Sequence, residues 1–144
     1  MSSARKRPWV TRRMVLSFGG FAAASLFTGP ASAGTYLDTA TLFVGSNRRD
    51  NDMLRKRPTD KALATAVHRV AEARSSAAAD MTVPEKVAKA HPHLLLTLAK
   101  VERAAQAAKE GNPRVMIELL DSARTEDTLF REALKELGFA LSDK

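Results

Sequence analysis

The sequence predicts an all-α fold, an antiparallel up-down-up-down four-helix bundle, preceded by an N-terminal segment that does not belong to it. Alanine and leucine are abundant, whereas the 144 residues include only one Trp, one Tyr and six Phe, a composition that favours helices over a β-sandwich. Apolar residues recur at helical spacing, and prolines and capping residues divide the chain after residue 34 into four segments of similar length. Because the connections are only a few residues long, we expect consecutive helices to run in opposite directions.

Residues 1–33 have the organisation of a cleavable signal peptide. A basic stretch is followed by an apolar stretch over 14–27 and by the small residues Ala31 and Ala33 at A-x-A spacing. The apolar stretch is too short to span a bilayer, since a membrane-spanning helix requires roughly 20 apolar residues. We therefore expect cleavage between Ala33 and Gly34, and no stable membrane anchor after it.

The basic stretch contains a more specific motif. Arg12 and Arg13 follow Thr11 and precede apolar residues through Leu16, and this hexapeptide resembles the twin-arginine export signal. The resemblance covers the signal alone. It implies recognition by the export machinery, folding before transport and a periplasmic or secreted location in a bacterium. The alternative is an ordinary secretory signal with an accidental arginine pair.

The formal net charge of +7 belongs mostly to that signal. Its 33 residues contain five basic and no acidic side chains, whereas the remainder contains 18 basic and 16 acidic ones. The basic cluster that remains has acidic residues interspersed and no aromatic residue to stack on bases; it comprises Arg48, Arg49, Arg55, Lys56 and Arg57. We therefore expect no nucleic-acid partner. We interpret the cluster as a solvated helix end, with an acidic partner protein or lipid headgroups as the functional alternative.

The first two helices are predicted from their caps. The first should extend over about 35–56, with Thr35 as N-cap and Asp38 as the returning carboxylate of a capping box, and a proline follows its end. The second should begin after Asp60 and continue through an alanine-rich run over about 61–80.

The last two helices are predicted in the same way. The third should extend over about 82–110, beginning with a T-x-x-E capping box and kinked at Pro92, where a proline inside the helix removes a hydrogen bond. The fourth should extend over about 113–137, with Asn112 as N-cap, a proline in its first turn and a glycine after its end.

Polar residues interrupt the apolar faces of these helices, and chemistry in a bundle requires such inward-facing polar side chains. On helical wheels the interruptions are Asn47, Asn51, Arg74, His91 and Glu126. Counting from the turns separates Arg74 from Glu126 by about six residues of rise, roughly 9 Å. We interpret the two as an ion pair that fixes the helix register; the functional alternative is a polar site for a small anion, a metal or a substrate carboxylate.

Histidines supply a candidate metal site. His91 and His93 flank Pro92, and His68 lies on the flank of the second helix. Imidazoles bind Cu(II) or Zn(II), to which an exported protein is exposed, but the helical period separates His91 from His93 by about 160°. The alternative is that His91 caps the second half of a kinked helix. The absence of cysteine excludes disulfides and thiolate metal sites.

The soluble haem-b cytochromes of the bacterial periplasm have a similar bundle plan, and the turn over 109–111 resembles theirs. Their axial ligands are a Met in the first helix and a His near the end of the last. The corresponding neighbourhoods here contain Ala40 and Arg131. The resemblance is one of topology, and we expect no haem and no other resident cofactor.

The motifs of common catalytic sites are missing from the sequence, which has no glycine-rich phosphate loop, no G-x-S-x-G elbow and no H-E-x-x-H. We therefore expect a non-enzymatic exported bundle that acts as an interaction, accessory or small-ligand-binding module, with an exported protein as its partner. The alternative is a metal- or cofactor-binding bundle that uses His91, His93 or His68 with Glu126. An enzyme with a site hidden in the core is the third hypothesis.

A candidate docking patch follows from three exposed apolar positions. The wheels place Leu42 and Met53 on the outward face of the first helix and Leu96 on the outward face of the third. Together with the basic end of the first helix, they predict a surface that could bind a partner.

Overall fold

A computed structural model of the protein describes residues 32–142. That part of the chain contains four α-helices and one short 3-10 helix, and no β-strand. The elements are α1 (Ala33–Lys56), α2 (Lys61–Ala79), the 3-10 turn Glu85–Val87, α3 (His91–Lys109) and α4 (Pro113–Glu136). The predicted all-α, four-helix fold is confirmed. Apart from Ser32 and Ala33, the predicted signal peptide, including Arg12, Arg13 and Ala31, lies outside the described residues.

Side-chain caps determine where three of the helices begin. Ser32, Asp60 and Asn112 each accept a hydrogen bond from the backbone N–H three residues further on, at 3.2, 2.9 and 3.3 Å. The caps at Asp60 and Asn112 are those predicted. The predicted cap at Thr35 is wrong, because Ser32 is also a good N-cap residue and lets α1 begin two residues earlier.

The third helix begins later than predicted. The segment after Pro84 forms the 3-10 turn, and α3 begins at His91 with Pro92 in its first turn. In the first turn a proline loses no helical hydrogen bond, because the N–H groups there have no carbonyl partner. The predicted kink at Pro92 is therefore wrong: this proline starts a helix rather than bending one.

Cross-helix contacts give the directions of the helices. His93 and then Lys100 of α3 contact Glu126 and then Ser122 of α4, so α3 and α4 run in opposite directions. The middle helix α3 packs extensively against both α2 and α4, and more of the α1 backbone lies near α3 than near α2 or α4. Long polar side chains therefore bridge the wider gaps from α1 to α2 and from α1 to α4. None of the helices within residues 32–142 is long and apolar enough to cross a membrane.

Two apolar clusters fill the interior. One lies at the end of the molecule where α1 connects to α2 and α3 connects to α4, and it includes Leu54, Val101, Met116 and Leu120. The other lies at the opposite end and includes Tyr36, Leu94, Leu98, Phe130 and Leu134. The buried polar residues lie between these clusters along the helices. The fold thus places a polar layer in the middle of an otherwise apolar core.

Candidate functional site

The polar layer consists of six buried side chains, Asn47, Asp50, Asn51, Arg74, Thr97 and Asp127. Three of them come from one turn of α1, because spacings of three and four residues place side chains on the same helix face. Asp50 lies toward α2 and Asn51 toward α4, while Asn47 lies between them and faces α3. One turn of α1 therefore contacts all three other helices.

Arg74 of α2 is held by two side chains of α1. Its Nη2 donates to Asp50 Oδ2 at 2.8 Å and its Nη1 donates to Asn47 Oδ1 at 3.2 Å. The side chains of Arg74 and Asp50 are 7% and 11% exposed. Asn47 in turn donates its Nδ2 to the Thr97 carbonyl of α3 at 3.2 Å. This chain of hydrogen bonds fixes the register of three helices.

The predicted ion pair between Arg74 and Glu126 is wrong. Arg74 pairs with Asp50, whereas Glu126 lies at the α3–α4 interface with other partners. The inner position on α4 is occupied by Asp127, whose spacing from Ala123 and Phe130 continues the buried stripe. The sequence interpretation was wrong in helix phase by one residue on α4. Asp50 is one of the acidic residues interspersed in the basic cluster that was interpreted as solvated, yet it is buried and bound to Arg74 of α2.

Glu126 is held between His93 and Lys100 of α3. His93 Nδ1 lies 3.0 Å from one carboxylate oxygen, and Lys100 Nζ donates to the other at 2.8 Å. Lys100 also donates to Ser122 Oγ at 2.7 Å. The hydrogen bonds from His93 and Lys100 hold the pKa of Glu126 below its usual value. The carboxylate is therefore ionised at neutral pH and acts as an acceptor only.

His91 lies far along the helix axis from the centre of the polar layer. Its Nδ1 is 3.0 Å from the hydroxyl of Tyr36, and the two rings meet edge to face with centroids 5.7 Å apart. Burial raises the pKa of Tyr36 to about 12 and lowers the pKa of His91. At neutral pH this contact between α1 and α3 is therefore one between two uncharged groups.

The three histidines of the candidate metal site do not converge. His91 contacts Tyr36, His93 contacts Glu126, and His68 lies on α2. Within residues 32–142, no three His, Cys, Asp or Glu side chains form a group that could hold a metal ion.

A second network joins α1 to α4. Asp127 Oδ2 accepts from Arg48 Nε at 2.7 Å. Asn51 donates its Nδ2 to the Leu120 carbonyl at 3.1 Å and accepts from Arg55 Nε at 2.8 Å. Two members of the predicted basic cluster thus bind residues of the polar layer instead of extending freely into solvent. The pattern that could have revealed Asp127 is the spacing of three and four residues that links it to the buried Phe130 and Ala123.

The hydrogen-bonding capacity of the polar layer is used within the protein. In the described part of the chain, Ser75 Oγ is the one buried side-chain oxygen or nitrogen without a hydrogen-bond partner. Each buried charge, at Asp50, Arg74 and Asp127, has an oppositely charged partner. We interpret the polar layer as a set of contacts that aligns the helices, which is the structural role expected of buried ion pairs.

An open groove separates α1 from α2 on the outside of the molecule. Its volume is about 480 Å³, and it is lined by Ser46, Arg49, Asp50, Asp52, Met53, Lys56, Val70 and Arg74. Met53 and Val70 are 41% and 55% exposed, and Leu42, on the same outward stripe of α1, is 70% exposed. The predicted outward positions of Leu42, Met53 and Leu96 are confirmed. We call this surface the α1–α2 groove.

A second cleft, of about 320 Å³, lies between α1 and α4. Two ion pairs cross it: Arg48 with Asp127, and Arg124 with Asp52 at 3.1 Å. Its polar groups are therefore occupied by each other, in contrast to the exposed apolar side chains of the α1–α2 groove.

In comparisons with known proteins, no family model matches the chain, and no curated protein or solved structure matches it. Function is therefore inferred from the sequence and the geometry of this chain.

Proposed function

We propose that this protein is an exported, non-enzymatic interaction module, an up-down-up-down bundle whose α1–α2 groove binds an acidic and partly apolar surface of a partner. The observation that carries the proposal is the composition of that groove. Its apolar side chains are exposed next to Arg49 and Lys56, which form no ion pair within residues 32–142, whereas the acids that line it, Asp50 and Asp52, are each paired with an arginine.

The apolar side chains of the groove supply the driving force for binding. Met53 from α1 and Val70 from α2 line one groove, and Leu42 extends the same stripe of α1. Burial of one such side chain contributes about 1.5–3 kcal/mol when it is fully removed from water. Clustered exposed apolar residues with a polar rim are typical of surfaces that bind another protein.

The basic rim of the groove selects an acidic partner. Neither Arg49 nor Lys56 forms an ion pair within residues 32–142, and Arg49 donates only to Ser46 Oγ, at 3.0 Å. Two acids, Asp50 and Asp52, also line the groove, but each is already paired with an arginine, Arg74 and Arg124 respectively. Uncompensated positive charge of this kind steers association with acidic surfaces.

The alternative function, metal or cofactor binding, has one observation in its favour, the contact between His93 and Glu126. Lys100 occupies the second carboxylate oxygen and would have to leave. His91 and His68 would have to be replaced as ligands by other donors. The α1–α2 groove requires no such rearrangement, and we therefore favour the interaction module.

Export is proposed from residues 1–33, through the resemblance of Arg12-Arg13 to the twin-arginine signal and the cleavage pattern that ends at Ala33. The absence of cysteine supports this proposal, because a fold without disulfides can form in the cytoplasm before transport. A periplasmic or secreted location follows.

Site-directed photo-crosslinking tests the proposed function. We expect a photo-reactive amino acid in place of Val70 of the full chain to give a defined adduct in producing cells. The adduct should be strongly reduced when Arg49→Glu and Lys56→Glu are added. The matched control carries the same photo-reactive residue in place of Arg103, which is exposed on α3 away from the groove. Absence of the adduct at position 70, or an equal adduct at position 103, would refute the proposal.

A further inference from the structure

We infer that the occupant of the α1–α2 groove is a second copy of this chain, which binds through the outer face of its own α4. The inference rests on the proposed function of the groove as a docking surface and identifies its partner. Two properties of α4 carry it, its charge and the apolar side chain at the middle of its outer face.

Charge differs between the two surfaces. Helix α4 contains six acidic and four basic residues, whereas the groove is lined by three basic and two acidic residues, with both acids already paired. On α4, the spacing of three and four residues places Thr125, Leu129, Glu132 and Glu136 on one exposed stripe, which we call the α4 face. Within residues 32–142, neither Glu132 nor Glu136 forms an ion pair. Both carboxylates are therefore available to the basic rim of the groove.

The spacing of apolar and charged residues also matches between the two surfaces. Leu129 is 39% exposed, and it lies three residues before Glu132 on the α4 face. Met53 likewise lies three residues before Lys56 in the groove. Three residues of an α-helix rise about 4.5 Å. When Leu129 of one copy packs between Met53 and Val70 of another, with its α4 parallel to the α1 of that copy, Glu132 comes opposite Lys56.

The contact is heterologous, because the groove and the α4 face are different surfaces of the same molecule. A pair of copies still has one free groove and one free α4 face, so association continues into rings or short chains. A single helix face in a groove buries an area at the small end of specific interfaces, which is typical of weak and transient complexes. We expect association that increases with protein concentration and decreases with salt, since the rim contacts are exposed.

Charge reversal with complementation tests this arrangement on the purified full chain. Lys56→Glu places two acids opposite each other, and Glu132→Lys places two bases opposite each other. By sedimentation velocity, each variant alone should associate at least about tenfold more weakly than the natural chain, since juxtaposed like charges oppose association. An equimolar mixture of the two should regain association, because opposite charges then face each other in every mixed contact. Lys89→Glu, the same charge change outside both surfaces, should associate normally.

The outcomes separate this inference from the proposed function. Association that is lost in each variant and regained in the mixture supports the second copy as occupant. A monomer at all concentrations, together with a position-70 adduct that contains a different polypeptide, overturns the inference and leaves the groove as a docking surface. A monomer without that adduct overturns both. Association unchanged by Lys56→Glu and Glu132→Lys also overturns the inference. Circular dichroism of the variants checks that these exposed substitutions leave the helices intact.

Discussion

The ion pair between Asp50 and Arg74 should be critical for stability even though it adds little net free energy. Asp50→Ala leaves the Arg74 guanidinium buried with Asn47 as its remaining side-chain partner. Removal of one partner from a buried pair lowers the free energy of unfolding by about 3–5 kcal/mol, because the other charge stays desolvated and uncompensated. The side chains of Arg74 and Asp50 are 7% and 11% exposed, so this pair is a buried one. Such a loss is a large fraction of the stability of a small domain.

The chain offers a matched control on the same helix. Asp52 is two residues from Asp50 and pairs with Arg124 at 3.1 Å, but the side chains of that pair are 59% and 55% exposed. Asp52→Ala should therefore lower the free energy of unfolding by no more than about 1 kcal/mol. Both variants remove one carboxylate from α1. A difference between their free energies of unfolding is therefore due to the different burial of the two ion pairs.

Urea unfolding followed by circular dichroism gives the comparison. The double variant Asp50→Leu with Arg74→Met completes the test, because replacing a buried pair by apolar residues of similar volume is often neutral or stabilising. We expect Asp50→Ala to be strongly destabilised and the double variant to recover most of the loss. Equal effects of Asp50→Ala and Asp52→Ala would refute the reasoning, as would a double variant no more stable than Asp50→Ala.

Two further predictions concern export and pH. Arg12→Lys combined with Arg13→Lys should leave the unprocessed chain inside the producing cell, as seen by fractionation and immunoblotting; normal export would contradict the twin-arginine assignment. Glu126→Gln should lower the free energy of unfolding by about 1 kcal/mol at neutral pH, because it weakens the bonds from His93 and Lys100. Since the folded pKa of Glu126 is depressed, this difference should be present above the ordinary pKa of 4.5 and vanish as the pH falls through the folded pKa. A difference that persists in acid would contradict the assigned cause.

Local sequence signals predicted the helix ends that depend on a single residue. Asp60 and Asn112 cap their helices as expected. Gly111 and Gly138 lie after helix ends with φ of 75° and 85°, a conformation that glycine adopts without the strain of a side chain. These features were readable because each depends on the chemistry of one residue and its immediate neighbours.

The start of α3 depends on tertiary packing and was therefore missed. The T-x-x-E box that begins at Thr82 indicates a helix start at that point. However, Val87 and Ala90 are fully buried in the apolar cluster that contains Phe130. The chain enters that cluster as a 3-10 turn, and the helix begins only at His91. Burial of apolar surface outweighed a capping preference worth about 1 kcal/mol.

The sequence predicted three residues of the polar layer but not its two buried acids. Asn47, Asn51 and Arg74 are buried, as the wheels indicated. The buried acids Asp50, which binds Arg74, and Asp127, which binds Arg48, could not be recognised, because a helical wheel gives the direction of a side chain but not which neighbouring helix covers it. In the folded protein α1 packs closest to α3, with α2 and α4 on either side. Residues on both flanks of its inner face are therefore buried, and the sequence of α1 alone does not show this.

The N-cap of α1 has a consequence for maturation. Ser32, which accepts from the Thr35 N–H at 3.2 Å, stands on the leader side of the predicted cleavage bond between Ala33 and Gly34. A peptidase that cuts there removes the capping hydroxyl together with the leader. The processed helix then has Thr35 as its next capping residue, with Asp38 three residues on, as a capping box requires. Precursor and mature protein would thus differ in how the same helix begins, and the amide of residue 35 would report by its exchange rate whether the leader is still attached.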